Sequence, residues 1–293
     1  MKQVRVIAPA KINLSLDIVG RRPDGYHTVS MVMQAVSLYD TLTVAVDEGE
    51  RSDAVSITCE GYDIPCDKTN IVSKAATAFY QYTQVEPHPL TVVIEKEIPT
   101  RAGLAGGSAD GAATVLALNY LYETHLTMKE MADICAKVGS DVPFCLLGGT
   151  MLATGTGTTL KKLCALQPCH IVICKPDLSV STKEAYEKCD SKPYKGFLYT
   201  DEVVKQLYRR DIRGMSSCLY NEFEQVLTLP EISEIKKQMM KHKALGASMS
   251  GSGSAVYAIF LSEKRAQECV DALKKKYDKV FLCEPVKDGA KIE

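Results

Sequence analysis

A glycine-rich segment between a predicted strand and a predicted helix most constrains what this chain can fold into. The segment covers residues 99–113, after a strand-like run at 90–98 and before an apolar helical run at 112–122. Its glycines permit positive φ angles and a close approach by a ligand, and the N–H groups that begin the helix favour an anion. The pattern predicts a phosphate-binding loop, although strand, glycine loop and helix also occur together for packing alone.

The glycine segment does not follow the two commonest nucleotide-binding patterns. No Lys-Ser or Lys-Thr closes it as in a Walker A loop, and its glycines lack the spacing of the dinucleotide-binding fingerprint. If this segment binds phosphate, it must belong to a different type of phosphate-binding loop. The rest of the chain has to indicate which type that is.

Composition and charge exclude several classes of protein. The 293 residues are 46% hydrophobic and 24% charged, which is typical of one large or two ordinary globular domains. A net charge of -1 gives no reason to expect a nucleic acid or an anionic membrane as partner. No apolar run approaches the ~20 residues of a membrane span, and the first residues lack a secretory apolar segment. The 11 cysteines show no zinc-like spacing with histidine, so we expect a reduced, cytoplasmic protein.

Residues 10–19 alternate between apolar and polar side chains, as in a strand. The polar positions are Lys11, Asn13, Ser15 and Asp17. Lys11 and Asn13 are thus predicted to point the same way, and taken alone this pattern favours an ordinary solvated face.

Asp141 stands at a position where an ionised side chain needs an explanation. A capping box at Thr127 predicts the start of a helix that Gly139 ends. An Asp just after a helix usually makes a local cap or turn. Here, however, it lies between two apolar elements, where a carboxylate needs a partner.

The remaining pattern mixes strands and helices in both halves, which predicts an α+β fold in two layers. We expect strands at 4–8, 29–36, 41–46, 55–59, 171–174, 255–261 and 280–283. Helices are expected at 70–82, 182–188, 200–213, 216–227, 230–243 and 263–277, with a loop at 192–196 and a second glycine-rich turn at 246–254. A Gly/Thr stretch at 154–159 indicates a boundary between domains at 1–155 and 156–293.

Three segments carry a resemblance to a known family. They are Ala8-Pro-Ala-Lys-Ile-Asn-Leu14, the glycine segment 99–113, and Met249-Ser-Gly-Ser-Gly253. In this order they resemble the motifs of the GHMP kinases, the superfamily of galactokinase, homoserine kinase and mevalonate kinase. The resemblance runs from residue 8 to about 260. It implies a two-domain fold, with an N-terminal nucleotide-binding domain like domain 2 of ribosomal protein S5 and a C-terminal ferredoxin-like α/β domain.

The resemblance also implies a reaction, the phosphorylation of a small alcohol by ATP with Mg²⁺. Arg22-Pro-Asp-Gly-Tyr-His27 and Gly139-Ser-Asp-Val-Pro-Phe144 indicate a member whose acceptor is a tertiary hydroxyl on a cytidine diphosphate alcohol. The alternatives are a family member acting on mevalonate, phosphomevalonate or homoserine, and a nucleotide-binding protein without activity. The presence of Lys11 and Asp141 argues against the second. We expect a monomer or a weak homodimer.

Residue roles follow from the resemblance position by position. Asp141 is implied as the general base, with Lys11 as its cationic partner. ATP is implied to bind at Pro99, Thr100, Arg101, Ala102, Gly103, Leu104, Ala105, Gly106, Gly107, Ser108 and Ala109, and Ser108 is the candidate for contact with Mg²⁺. The acceptor is implied to bind at Asn13, Tyr26, His27, Tyr186, Ser250 and Gly251, although His27 could instead be an ordinary surface histidine.

Two positions depart from the commonest family pattern. Ala105 stands where many members have a third glycine, and Ala109-Asp110 stands where some have Ser-Asn. These departures leave open which side chain contacts the metal.

Overall fold

The fold mixes helices and strands in two sheets, which confirms the α+β class. A computed structural model describes residues 1–49, 51–190 and 196–293. Its strands are β1 Lys2–Arg21, β2 His27–Val46, β3 Val55–Glu60, β4 Leu90–Glu95, β5 Thr150–Gly155, β6 Thr159–Lys162, β7 His170–Lys175, β8 Tyr220–Asn221, β9 Gly246–Met249, β10 Val256–Phe260, β11 Lys279–Cys283 and β12 Lys291–Ile292. Its helices are α1 Ile71–Thr83, α2 Gly106–Leu121, α3 Met128–Val138, α4 Val142–Leu147, α5 Thr182–Cys189, α6 Tyr199–Tyr208, α7 Ile212–Ser217, α8 Phe223–Val226, α9 Pro230–Lys241 and α10 Glu263–Lys274.

The first sheet is built on two long antiparallel strands, β1 and β2, of 20 residues each. Its order is β12-β1-β2-β4-β3; β5 also pairs with β2 and continues to β6, and β8 pairs with β1. The sequence predicts two shorter strands in place of each long one. That prediction was wrong because bulges, such as the register shift between Pro9 and Ala10, bend the strands without ending them.

The second sheet has the order β11-β7-β10-β9, with every neighbouring pair antiparallel. Helices α9 and α10 pack on it. The chain order β7, α9, β9, β10, α10, β11 is the β-α-β-β-α-β arrangement of a ferredoxin-like unit. This confirms the ferredoxin-like part of the predicted fold.

Helix α2 lies at the centre of the first half of the molecule. It packs against α1, α3, α4, β1 and β2, as expected of a helix that is apolar nearly all round. It begins at Gly106, inside the glycine segment. The segment that feeds the helix is therefore held by the core rather than carried on a free surface loop.

The polar side of β1 is buried, so the expectation of a solvated face was wrong. Ser15 Oγ lies 2.8 Å from Thr200 Oγ1. Asp17 accepts hydrogen bonds from the N–H groups of Thr200 at 2.8 Å and Tyr199 at 3.2 Å. Because these N–H groups begin α6, Asp17 caps a helix that lies far along the chain.

The predicted helices at 200–213 and 216–227 need correction. The first is divided into α6 and α7, and the second is replaced by β8 and the short α8. The strand forms because Asn221 is buried and its side chain donates to the carbonyls of Met249 and Gly251, both at 2.8 Å. These long-range bonds outweigh the local helical pattern.

The predicted glycine-rich turn at 246–254 is shorter than expected, because Gly246–Met249 forms β9. A Cβ atom on Gly246 would lie 2.1 Å from the Ser216 carbonyl oxygen, so this glycine serves close packing rather than a turn. Of the predicted loop at 192–196, residues 192–195 lie outside the described residues.

The boundary between domains at 155 and 156 stays a prediction. Residues 156–158 connect β5 to β6, and both strands belong to the first sheet. In the described ranges no helix is long and apolar enough to cross a membrane.

One buried ammonium group lies between two carboxylates below the glycine segment. Lys96 Nζ donates to Asp110 Oδ2 at 2.9 Å and also to Asp40 Oδ2. Asp40 Oδ1 accepts the N–H groups of Glu97 and Ile98, both at 2.8 Å. Asp110 Oδ1 is buried and has no hydrogen-bond partner among the residues that the structure describes. Burial alone would lower the pKa of Lys96, but the two carboxylates outweigh burial and raise it.

Replacement of Asp110 by Asn tests this cluster. Burial, opposed by Lys96 and assisted by Asp40, raises the pKa of Asp110 above its ordinary value, so the folded state holds this proton more tightly than the unfolded chain. Its contribution to stability is greatest below the unfolded pKa of about 4 and is lost as pH rises through the folded pKa. We expect urea unfolding to show D110N gaining stability relative to the wild type as pH rises from about 4 to about 8.

D40N provides the comparison for D110N. In D40N the amide oxygen can still accept the N–H groups of Glu97 and Ile98, but the amide nitrogen, a donor, replaces the carboxylate oxygen that faces Lys96. The buried ammonium then loses one acceptor, so D40N should destabilise the fold across the whole pH range. A difference between D110N and the wild type that does not change with pH would contradict the interpretation of Asp110.

Candidate active site

Three segments that are distant in sequence meet at one backbone junction. The Lys11 N–H donates to the Leu104 carbonyl at 3.0 Å, and Ser250 Oγ donates to the Gly103 carbonyl at 2.9 Å. The Ala255 N–H donates to the Ala102 carbonyl at 3.0 Å. The glycine segment is therefore held between the first strand and the turn after β9.

Gly103 allows this junction to form. Its φ is +76°, and a Cβ atom there would lie 2.0 Å from the Ser250 carbonyl oxygen. A side chain would therefore be strained and would also force the two segments apart.

A cavity of about 620 Å³ opens beside the junction. Residues from all three segments line it, together with part of α5 and the loop before α1. The predicted site residues among its lining are Lys11, Asn13, Pro99, Thr100, Arg101, Ala102, Gly103, Ala105, Gly106, Gly107, Ser108, Asp141, Tyr186 and Gly251. Most of the residues that the sequence predicts for one site thus share one cavity.

The other predicted site residues lie around this cavity rather than in its lining. Leu104, Ala109 and Ser250 are buried, and Leu104 and Ser250 form the junction itself. Tyr26 is 67% exposed on the surface. His27 is largely covered by neighbouring side chains.

Lys11 and Asp141 lie next to each other in the lining of the cavity. Lys11 Nζ lies 3.8 Å from Asp141 Oδ2, and the lysine side chain is 4% exposed while the aspartate is 32% exposed. Asp141 occupies the N-cap position of α4, but its side chain makes no capping hydrogen bond. The alternative of a local helix cap is therefore not observed, and the carboxylate faces a buried cation and solvent.

Asn13 is held from several sides beside Lys11. Its Oδ1 accepts a hydrogen bond from Lys11 Nζ at 2.6 Å. Its N–H donates to Ser250 Oγ at 3.3 Å, and its carbonyl accepts the hydroxyl of Tyr257 at 2.7 Å. These contacts confirm that Lys11 and Asn13 share a face, and they fix the position of the lysine ammonium.

The N-terminus of α2 opens into the same cavity. Ala105 is the N-cap residue, and no side chain caps the helix there. Gly106, Gly107 and Ser108 form the first turn and line the cavity. Uncapped N–H groups and the positive end of the helix dipole make this turn suited to an anion such as phosphate.

The same turn offers limited means of holding a metal ion. Ser108 is half-buried and supplies one hydroxyl oxygen to the cavity. Among the described residues there is no group of three or more His, Cys, Asp or Glu that could hold a metal by itself. A single hydroxyl oxygen such as that of Ser108 is the kind of ligand that Mg²⁺ takes, since this ion prefers oxygen ligands, keeps several waters and is often bound through one or two protein groups and substrate phosphates.

His27 belongs to an aromatic and acidic cluster at the edge of the cavity. Its ring stacks on Tyr186 with 4.6 Å between ring centroids, and its Nε2 lies 2.6 Å from Asp190 Oδ1. Arg21 also reaches Asp190 at 3.1 Å. One face of Tyr186 is therefore already covered by His27, so a bound base has to stack elsewhere or displace the histidine.

Sequence reasoning missed several residues of this region. Asp190 is 163 residues from His27, and nothing in the local sequence links the two. Thr182 and Ser252, whose hydroxyl oxygens are 2.8 Å apart, also line the cavity. Lys96 lines it as well, and its place at the end of a strand that feeds the glycine segment is a signal that could have indicated it.

Comparison with known proteins identifies the family. Residues 70–149 match the GHMP kinases N terminal domain and residues 203–279 match the GHMP kinases C terminal domain. The 4-diphosphocytidyl-2-C-methyl-D-erythritol kinase of Thermoanaerobacter pseudethanolicus is 38% identical over 100% of this chain and 99% of its own. The enzyme of the same name from Carboxydothermus hydrogenoformans is 42% identical over 90% of each chain.

A solved structure gives the same result. The crystal structure of a 4-(cytidine 5'-diphospho)-2C-methyl-D-erythritol kinase matches with a TM-score of 0.79 and 30% identity, covering 96% of this chain and 98% of the other. The chain belongs to the GHMP kinases and, within them, to the family of 4-diphosphocytidyl-2-C-methyl-D-erythritol kinases.

Proposed function

We propose that this chain transfers the γ-phosphoryl group of ATP to the 2-hydroxyl of 4-diphosphocytidyl-2-C-methyl-D-erythritol, a step of the non-mevalonate route to isoprenoid precursors. The observation that carries the proposal is the Lys11–Asp141 pair, which lines the same cavity as the open N-terminus of α2. The names of the full-length relatives support the acceptor. We also propose that the protein acts in the cytoplasm, as its cysteine usage predicts.

The proposed chemistry is an in-line transfer between two oxygen atoms. Asp141 accepts the proton of the acceptor hydroxyl, whose oxygen forms the new bond to the γ-phosphorus. The bond from this phosphorus to the bridging oxygen breaks, and ADP leaves with that electron pair. Because phosphoryl transfer depends mainly on positioning and charge stabilisation, the fixed ammonium of Lys11 acts on the charge of both Asp141 and the transferred group.

The phosphate chain of ATP is proposed to lie on the glycine segment, at the first turn of α2. Backbone N–H groups and the helix dipole would hold its oxygens there. Mg²⁺ is proposed to be held by phosphate oxygens and Ser108, and when bound it supplies positive charge that neutralises the phosphates.

The cytidine end of the acceptor is proposed to bind near His27, Tyr186 and Tyr26. A cytosine needs an aromatic stacking partner and polar groups for its edge, and each base stacked on an aromatic ring gains ~1–3 kcal/mol. Tyr26 is exposed and free to cover a base, while Tyr186 joins the cluster to the cavity. Asn13 and Gly251, which line the cavity, would hold the methylerythritol part beside Lys11, and Ser250 would support Asn13 from outside the lining.

A coupled assay of ADP release tests the function directly. The enzyme is given ATP with a panel of alcohols: the CDP-alcohol, the same alcohol without its CDP group, mevalonate, phosphomevalonate and homoserine. We expect turnover only with the CDP-alcohol. Turnover of homoserine or mevalonate in its place would overturn the proposed acceptor while keeping the family.

Asp141→Asn tests the proposed base. The amide keeps the size of the side chain but cannot accept the hydroxyl proton, so kcat should fall by about 10²-fold or more. ATP affinity and the urea midpoint should stay near wild type. Asp133→Asn on α3, an exposed position outside the cavity lining, is the matched control. Near-normal kcat in D141N would remove Asp141 from this role.

His27→Ala tests the proposed cytidine end. A site built for a base loses affinity when its polar and stacking groups are removed, so KM for the CDP-alcohol should rise about tenfold or more while KM for ATP stays nearly unchanged. His125→Ala, at an exposed position outside the cavity lining, is the control. Equal changes in both KM values, or no change in either, would place His27 outside the cytidine site.

A further inference from the structure

Among the described residues, three cationic side chains line the cavity, and they differ in whether an acidic partner already engages them. They are Lys11, Lys96 and Arg101. Lys96 is held between two buried carboxylates, and Lys11 faces Asp141. The Arg101 side chain is exposed, and within the described ranges no hydrogen bond or ion pair engages it. Arg101 therefore provides the uncommitted positive charge of this lining.

The backbone at Arg101 is held in an unfavourable conformation. Its φ is +50°, in the left-handed region that costs a residue with a Cβ roughly 1–2 kcal/mol. The chain is fixed on both sides, because the Ile98 N–H donates to Asp40 Oδ1 at 2.8 Å and the Ala102 carbonyl accepts the Ala255 N–H at 3.0 Å. Such conformations persist where the surroundings determine them, often at ligand sites.

We propose that the guanidinium of Arg101 binds the polyphosphate of ATP and adds an uncommitted positive charge to the described lining of the cavity. This rests on the proposed function for its use of ATP. A guanidinium suits the task because it can donate two parallel hydrogen bonds to phosphate oxygens and stays charged at any working pH.

ATP and the CDP-alcohol both carry phosphates. The position of Arg101 in the chain favours contact with the phosphates of ATP over those of the CDP-alcohol. Arg101 lies on the glycine segment, five residues before the first turn of α2 at Gly106. The uncapped N–H groups of that turn favour an anion. One loop thus presents both a backbone site and a side-chain cation to the same phosphate chain.

Arg101→Gln tests the proposal by binding as well as by rate. Calorimetry with the imido analogue of ATP and with AMP should show affinity for the analogue falling about ten- to hundredfold, the scale of lost charge-assisted bonds, with a much smaller fall for AMP. Arg101→Lys should be intermediate. In the coupled assay, KM for ATP should rise and KM for the CDP-alcohol should stay nearly constant.

A pair of glycine variants distinguishes phosphate binding by the Arg101 side chain from an effect of its strained backbone. Arg210 is also exposed and also left-handed, with a φ of +55°, but lies outside the cavity lining. Arg101→Gly and Arg210→Gly both relieve an unfavourable φ, so neither should lower the melting temperature. Only R101G should lose affinity for the ATP analogue.

Two results would overturn the inference. One is analogue binding by R101Q equal to that of the wild type, and the other is a rise in KM for the CDP-alcohol without one for ATP. If the wild type does not use the CDP-alcohol but R101Q still loses analogue affinity, the proposed acceptor fails and the role of Arg101 stands.

Discussion

The structure depends on a few hydrogen bonds that the backbone carbonyls of Ala102, Gly103 and Leu104 accept. Ser250 is 147 residues from Gly103, and Lys11 lies on a strand of the first sheet. These bonds satisfy peptide groups that would otherwise be buried without partners. The cavity exists because the glycine segment is held between the first sheet and the turn after β9. A shift at this junction would therefore move Lys11, the loop and the third segment together.

The junction brings a second constraint, which is the burial of polar side chains. A polar group removed from water costs stability unless it finds a partner. Along β1 each of these buried polar residues has a partner. Lys11 contacts Asn13 on the same strand, whereas Asn13, Ser15 and Asp17 contact Ser250, Thr200 and the start of α6. The contacts to Ser250, Thr200 and α6 fix how later elements sit against the first sheet. The strand is therefore both a core element and the means by which distant elements are positioned.

Much of the fold can be predicted from the sequence because it depends on residues that are close together in the chain. The capping box at Thr127, the apolar α2 and the glycine segment each follow from residues near in sequence, and the structure contains all of them. The closeness of Lys11 and Asn13 follows from strand alternation alone.

The rest depends on contacts between distant residues, which a local pattern cannot contain. Burial of the polar face of β1 and the change from helix to strand at Tyr220 and Asn221 are set by partners far along the chain. The hydrogen bond between the His27 ring and the Asp190 carboxylate is of the same kind. The pairing of Lys11 with Asp141 was predicted from the family resemblance only. The residues by themselves favoured a solvated strand face for Lys11 and a local helix cap or turn for Asp141.

The arrangement of charge in the cavity fits the roles that we propose for these residues in phosphoryl transfer. Positive charge is needed in two different forms: a fixed cation beside the reacting oxygen, and mobile or backbone charge along the phosphates. Lys11 has the first form, because burial and Asn13 leave its ammonium one position. The N-terminus of α2 and Arg101 have the second form. Lys96 has neither, since Asp40 and Asp110 already engage its ammonium. It instead links the end of β4 to the start of α2, on either side of the glycine segment. Two lysines in one cavity therefore differ in function. The ammonium of Lys11 is available to charges in the cavity, whereas that of Lys96 is engaged by its acidic partners.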